Sequence, residues 1–361
     1  MEMVFRWFGE GNDQVPLDYI KQIPGVSGVV WALHDIPTGE VWPLQRIAEI
    51  KEQADKYGLT IDVVESVNIH EDIKLGLPTR DKYISNYIKT MEHLAEVGVK
   101  VICYNFMPVF DWVRTELFKK LEDGSTALFF EKKKIEDIDP MELVKMIAHD
   151  PAYTMPGWEP DRLQDLSTLF VKYKSVSEED LWGNLQYFLE KIIPVAEKLN
   201  IKMAIHPDDP PYSVFGLPRI ITNKSNLHRF LKLVDSPVNG LTFCSGALGA
   251  HPANDLVDIV RTFSNRIHFA HVRNLKRYEN GDFIETSHRM SDGSLDIHGI
   301  MKAFYESDYN GYMRPDHGRH IWSEKCRPGY GLYDRALGIM YLWGIWDSLV
   351  ESGKENRFVT N

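Results

Sequence analysis

The chain has 361 residues, of which 43% are hydrophobic and 26% charged, the balance of a globular protein with material for a large core. Its 41 basic and 52 acidic residues leave a formal charge of -11. That excludes broad nucleic-acid binding but not a small anion held by local cations or a metal.

Taken in order, short apolar runs at 3–8, 28–33, 60–65, 100–106, 202–206, 241–244, 266–271 and 312–316 read as strands buried on both faces. Amphipathic segments alternate with them. Segment 44–57 places Ile47, Ile50 and Ala54 on one face and stops at Gly58. Segment 82–97 does the same with Ile84, Ile88, Met91 and Ala95 and stops at Gly98. Segment 177–199 opens on Ser177 with acidic residues in its first turn. Segments 223–234, 253–263, 295–305 and 331–349 complete the helices. The longest apolar stretch, 336–350, falls in the last and reads as a buried helix.

Eight strand–helix units predict a closed (β/α)8 TIM barrel, one α/β domain over 1–361, with an open doubly wound sheet as the second choice. The early loops carry neither G-x-G-x-x-G nor a P-loop, so a dinucleotide site has no support. Residues 108–176 are too long for an ordinary βα loop. With Phe110, Trp112, Phe118, Phe129, Phe130 and Trp158 they are too aromatic for a disordered linker. A helical insertion after strand 4 is expected, packing on the barrel or on a second copy in a homodimer, or serving as a lid. Three cysteines in a long chain, a start without a signal-like core and no apolar run near the ~18–20 residues of a membrane span predict a cytoplasmic protein without membrane contact.

In such a barrel the chemistry lies at the carboxyl ends of the strands. Strands five to eight end in His206, Cys244, His271 and Asp316, about one βα unit apart. Imidazole, thiolate and carboxylate together suit a divalent transition metal and not Ca²⁺ or Mg²⁺. His268, three residues before His271, points to the opposite face and serves as a structural control. Arg314 shares parity with Asp316 and should also face inward. His34, Asn105, Asp208 and Arg273 stand at strand ends as candidate substrate contacts, Arg273 through its two-pronged match to a carboxylate. Arg6 and Trp7 are weaker candidates. His317, beside Asp316, has the residue type for acid–base work, and Tyr330 sits between Gly329 and Gly331 in a turn that can present its phenol inward.

At these motifs the sequence resembles the mannonate dehydratase family of the xylose-isomerase-like barrels. The resemblance rests on Phe5-Arg6-Trp7-Phe8-Gly9, Trp31-Ala32-Leu33-His34, Ile205-His206-Pro207-Asp208-Asp209-Pro210-Pro211, Phe243-Cys244-Ser245-Gly246, His268-Phe269-Ala270-His271-Val272-Arg273-Asn274, Met313-Arg314-Pro315-Asp316-His317-Gly318 and Gly329-Tyr330. It implies dehydration of D-mannonate to 2-dehydro-3-deoxy-D-gluconate in hexuronate catabolism, with Mn²⁺ or Fe²⁺. It implies His206, Cys244, His271 and Asp316 as ligands, and His317 and Tyr330 as the proton-transfer pair. A sugar isomerase or epimerase of the same metal-dependent barrel group is the alternative.

Overall fold

The computed structural model describes residues 1–137 and 163–359. Twelve strands are described: β1 (Glu2–Arg6), β2 (Val26–Trp31), β3 (Thr60–Glu65), β4 (Val101–Tyr104), β5 (Glu116–Lys120), β6 (Thr126–Phe130), β7 (Lys202–Ile205), β8 (Asn239–Cys244), β9 (Ile267–His271), β10 (Leu275–Arg277), β11 (Phe283–Glu285) and β12 (Tyr312–Arg314). Eight of them close a parallel barrel in the order β1-β12-β9-β8-β7-β4-β3-β2. The expected (β/α)8 architecture is therefore present.

Two apolar layers follow from the period-2 alternation of strand side chains. Val4, Val30, Val63, Val101, Cys103, Ala204 and Phe269 pack together in the barrel interior. The alternate residues, such as Met3, Phe5, Val29, Val64, Ile102 and Met203, join the large core shared with the helices. Helix Leu44–Asp55 buries Ile47, Ile50 and Ala54, the face its spacing predicts. Helix Glu178–Leu199 starts at a capping box in which Ser177 and Asp180 satisfy one another's backbone N–H groups. Where β2 passes β3, Gly28 is required, because an added Cβ would lie 2.7 Å from the Thr60 carbonyl oxygen.

The segment after β4 differs from the expected helical insertion. Its described part contains the β5–β6 hairpin and helices Lys132–Asp137 and Leu163–Tyr173. The hairpin pairs with β11 in a four-stranded antiparallel sheet of order β10-β11-β6-β5. The local signal is the Asp123-Gly124 turn before the apolar run 127–130; the first strand, with Glu116, Lys119 and Lys120, has little β-propensity of its own. Phe110, Trp112 and Phe130 are buried within the chain, Phe118 is exposed, and Trp158 lies outside the described residues. Helix Tyr333–Val359 also departs from the buried reading. Ile339 and Leu342 are fully buried, whereas Leu337 and Met340 are exposed. Among the described residues no helix is long and apolar enough to cross a membrane.

Candidate metal centre and acid–base pair

β7, β8, β9 and β12 are consecutive in the barrel, so the residues at their carboxyl ends meet. Cys244 and His271 are paired in register, as are His271 and Arg314. The ligand atoms of His206, Cys244 and His271 all lie within 4.8 Å of one another. His206 Nε2 and His271 Nδ1 are 3.2 Å apart. The Asp316 carboxylate completes the group, 3.4 Å from Cys244 Sγ and 3.6 Å from His271 Nδ1. Its backbone sits at φ 60°, a left-handed conformation that Asp tolerates better than bulky or β-branched residues.

The surroundings fit a divalent ion. His206 Nδ1 faces the Pro207 carbonyl at 2.7 Å, which fixes the tautomer and leaves Nε2 as the donor atom. Burial, then Arg314, holds His271 well below the usual imidazole range, so it stands neutral. Its other nitrogen, Nε2, faces Arg314 Nε at 3.0 Å and Glu65 Oε2 at 3.6 Å. Arg314 Nε–H donates to this nitrogen, and Glu65 Oε2 is buried beside the ring without a hydrogen-bond partner. Burial would raise the Asp316 carboxyl, but Arg314, His317 and Arg273 together hold it well below the usual carboxylate range. Burial, then Asp316, pushes the Cys244 thiol up. A metal reverses that preference, since a coordinating thiol is deprotonated.

Beside this cluster, His317 Nε2 lies 3.0 Å from the Tyr330 hydroxyl, and His317 Nδ1 lies 2.9 Å from Glu285 Oε1. The turn expected around Tyr330 is present. Gly329 takes φ 80° and donates its N–H to His320 Nε2 at 2.9 Å, which aims the phenol inward. Burial pushes the Tyr330 phenol up, so it is a neutral donor at ordinary pH. A cavity of about 980 Å³ opens over these groups, lined by His34, Asn105, His206, Asp316, His317 and Tyr330 among others. Asp111, Trp112, Leu117, Leu169 and Lys172 of the segment after β4 form part of its wall.

Two expected substrate contacts face elsewhere. Arg273 is buried and does not line the cavity. Its guanidinium donates to Asp316 at 2.6 Å, to Asp209 at 2.8 Å and to Glu285. Three carboxylates already hold it, so Arg273 positions Asp316 from behind. Asp208 is buried too; its Oδ2 accepts from the backbone N–H groups of Ile220 and Ile221 at 2.7 and 3.0 Å and closes that loop. Its neighbour Asp209 reaches the cavity instead, clamped by Arg114 at 2.9 and 3.0 Å. His268 behaves as the control requires, buried away from the cluster with burial lowering its pKa to about 3. The reading missed Glu285 and Arg114. Both belong to the second sheet and its approach; β10 and β11 are three residues each, and the signal that could have found them is the Asn280-Gly281 turn between them.

A (β/α)8 barrel with a His₂–Cys–Asp cluster at its carboxyl rim defines a metal-dependent barrel enzyme. The sequence profile of the D-mannonate dehydratase (UxuA) family matches residues 1–356, and the chain belongs to that family. It is 67% identical over 360 residues to mannonate dehydratase 1 of Halalkalibacterium halodurans, covering 100% of this chain and 99% of that one. It is 65% identical over 355 residues to mannonate dehydratase 1 of Bacillus licheniformis, covering 98% and 97%. The crystal structure of mannonate dehydratase from Streptococcus suis serotype 2 superposes with a TM-score of 0.88 at 42% identity, covering 98% of this chain and 95% of that one.

Proposed function

We propose that this chain is a hydro-lyase that removes water from D-mannonate to give 2-dehydro-3-deoxy-D-gluconate, a step of hexuronate breakdown. The observation that carries the reading is the meeting of His206, Cys244, His271 and Asp316 at one point, beside a His317–Tyr330 pair 3.0 Å apart. These four residues would hold Mn²⁺ or Fe²⁺; the carboxylate suits the harder Mn²⁺, and the imidazoles and thiolate suit the borderline Fe²⁺. Such an ion supplies Lewis-acid stabilisation of negative charge on substrate oxygens.

The chain's own groups handle the protons. The C2–H bond breaks and its proton passes to one member of the His317–Tyr330 pair; the C3–O bond breaks and the other member protonates the departing oxygen, which leaves as water. The enol left between C2 and C3 tautomerises to the 2-keto acid. Glu285 faces His317 Nδ1 and so fixes which ring nitrogen meets Tyr330. His34 and Asn105, on the cavity wall, are placed to orient hydroxyl groups.

The test is direct. Incubated with Mn²⁺ or Fe²⁺, the protein forms a 2-keto-3-deoxy acid from D-mannonate, chelation stops it, and His206→Ala or Asp316→Ala lowers bound metal and turnover together. No keto acid with any divalent metal ends the dehydratase reading; full metal content in both variants ends the ligand assignment. An isomerised sugar as the product would favour the isomerase reading. Cytoplasmic location is the setting that three free cysteines support. A homodimer is the assembly we propose, supported by the exposed side chains of Phe118, Trp322 and Leu337, and sedimentation velocity tests it.

A further inference from the structure

We propose that Arg6 is the seat of the substrate's carboxylate, with His34 and Arg327 completing the anion site; this rests on the dehydratase reading above. Arg6 closes β1, is 2% exposed and lines the cavity. A buried guanidinium is ordinarily matched by a carboxylate. Arg114 is matched by Asp209 and Glu285, Arg273 by Asp209, Glu285 and Asp316, and Arg314 by Glu65 and Asp316. Arg6 has only neutral hydrogen-bond partners among the described residues: the Glu65 backbone carbonyl and His34 Nε2, each at 3.3 Å. Arg219 and Arg335 are also buried and held by backbone carbonyls, but they do not line the cavity. Arg6 is the buried guanidinium of the cavity wall without a carboxylate hydrogen-bond partner, Glu65 acting on it only through space.

The neighbours are arranged for an anion. Burial, then Arg6 and Arg327, holds His34 well below the usual imidazole range. It is therefore neutral, accepts from Arg6 at Nε2, and turns Nδ1–H into a donor. Phe8 is held between the two guanidiniums, with the Arg6 and Arg327 Cζ atoms each 4.7 Å from its ring centroid. The same ring meets Tyr330 edge-on at 4.8 Å. Phe8 thus ties the cationic corner to the phenol that reaches His317. That adjacency suits the reaction, because the carboxylate is one bond from C2, the carbon that loses its proton. Arg114 and Arg273 do not line the cavity, and each would have to give up a buried ion pair; Arg314 lines it with its charge already set against Glu65 and Asp316, although its Nη1 has no partner.

The experiment uses the metal-loaded full chain and measures binding of D-gluconate and of D-glucitol, its uncharged six-carbon counterpart, by calorimetry. Wild type should prefer the acid. Arg6→Gln should weaken D-gluconate binding by about 10–100-fold, the range of charge-assisted hydrogen bonds, and change D-glucitol binding less than twofold. Arg6→Lys should recover part of the loss, and Arg327→Gln, on the exposed rim, should cost a few-fold. Bound metal should be unchanged in all three. An unaltered preference for the acid in Arg6→Gln overturns the proposal and assigns the carboxylate elsewhere. If that variant does not fold, unaltered preference in both Arg6→Lys and Arg327→Gln overturns it equally. Failure of the dehydratase reading is distinguishable: wild type would then make no keto acid, while the binding comparison would still report on Arg6.

Discussion

Glu285 is the residue whose removal is expected to separate stability from chemistry most clearly. It is 1% exposed, and its Oε1 accepts from Arg114 Nη2 at 2.8 Å, from Arg273 and from His317 Nδ1 at 2.9 Å. Burial would raise its carboxyl, but Arg273, His317 and Arg114 hold it down to about 2, so it is ionised across the working range. Glu285→Gln keeps the shape and removes the charge. Breaking a buried pair from one side costs about 3–5 kcal/mol. For 361 residues that is a fall in melting temperature of about 4–7 °C. The chemical effect is separate. Without a carboxylate at Nδ1, His317 no longer has one tautomer enforced, and Nε2 is no longer reserved for Tyr330. Misaligned acid–base catalysis should lower kcat by about 100-fold or more, with KM nearly unchanged. Glu285→Asp, which restores the charge, should recover part of kcat. The assays are keto-acid formation well below the melting transition, and metal content per chain. A Gln variant with lowered melting temperature but normal kcat would refute the positioning role and leave Glu285 a purely structural counter-ion.

Three further outcomes follow from the same geometry. Tyr330→Phe removes the phenol facing His317 and leaves the metal ligands untouched, so turnover should fall by about 10²–10⁴-fold with full metal content; near-normal rates would remove Tyr330 from the mechanism. In Gly246→Ala the new Cβ overlaps Nε and Cζ of Arg273, whose guanidinium is pinned by three carboxylates. A destabilisation of about 1–3 kcal/mol and weaker metal retention should follow, read by urea unfolding and metal analysis. His268 gives a pH signature. Burial, then Lys202 and Arg266, lowers its folded pKa to about 3, against about 6.5 unfolded, so the two states bind protons equally above pH 6.5 and the unfolded state binds more below it. Stability therefore falls as pH drops from 6.5, and His268→Gln should escape about 2 kcal/mol of the wild-type loss between pH 7 and 5. Parallel pH profiles for the two proteins would contradict the buried neutral state.

The barrel strands are legible because each is buried on both faces and stands out as an apolar run, so the four residues at their ends that we propose as ligands can be picked out by position alone. The charge network behind that quartet is not. Arg273 looked available because sequence cannot show that Asp209, Glu285 and Asp316 converge on it from three segments. Asp208 and Asp209 are adjacent, yet one caps backbone N–H groups and the other takes two arginines; a one-residue difference in direction decides between them. Glu285 sits on a three-residue strand that pairs with β10 across the Asn280-Gly281 turn, a local hairpin signal, and with β6, where Phe283 meets Phe130, 153 residues earlier, a pairing no local pattern encodes. Arg6 was ranked low for the opposite reason: what distinguishes it is a counter-ion it lacks, and that is visible only when the neighbours of every buried cation are known.

The charges at this rim have a common logic. Arg114, Arg273 and Arg314 stand against Asp209, Glu285, Asp316 and Glu65, three positive groups against four negative. A divalent cation held there, with the Cys244 thiolate it would induce, would bring that cluster to neutrality, as a site of low dielectric demands. Arg6 lies outside the balance with a charge to spare, and a sugar-acid carboxylate carries one charge of the opposite sign. The chain's overall charge of -11 does not repel such an anion from its seat, because the buried field at the barrel's carboxyl rim is set by neighbours a few ångströms away and exposed charges beyond about 10 Å are screened. An acidic protein can in this way present a cationic corner to an acidic substrate, provided that the guanidiniums around the carboxylate cluster are already matched.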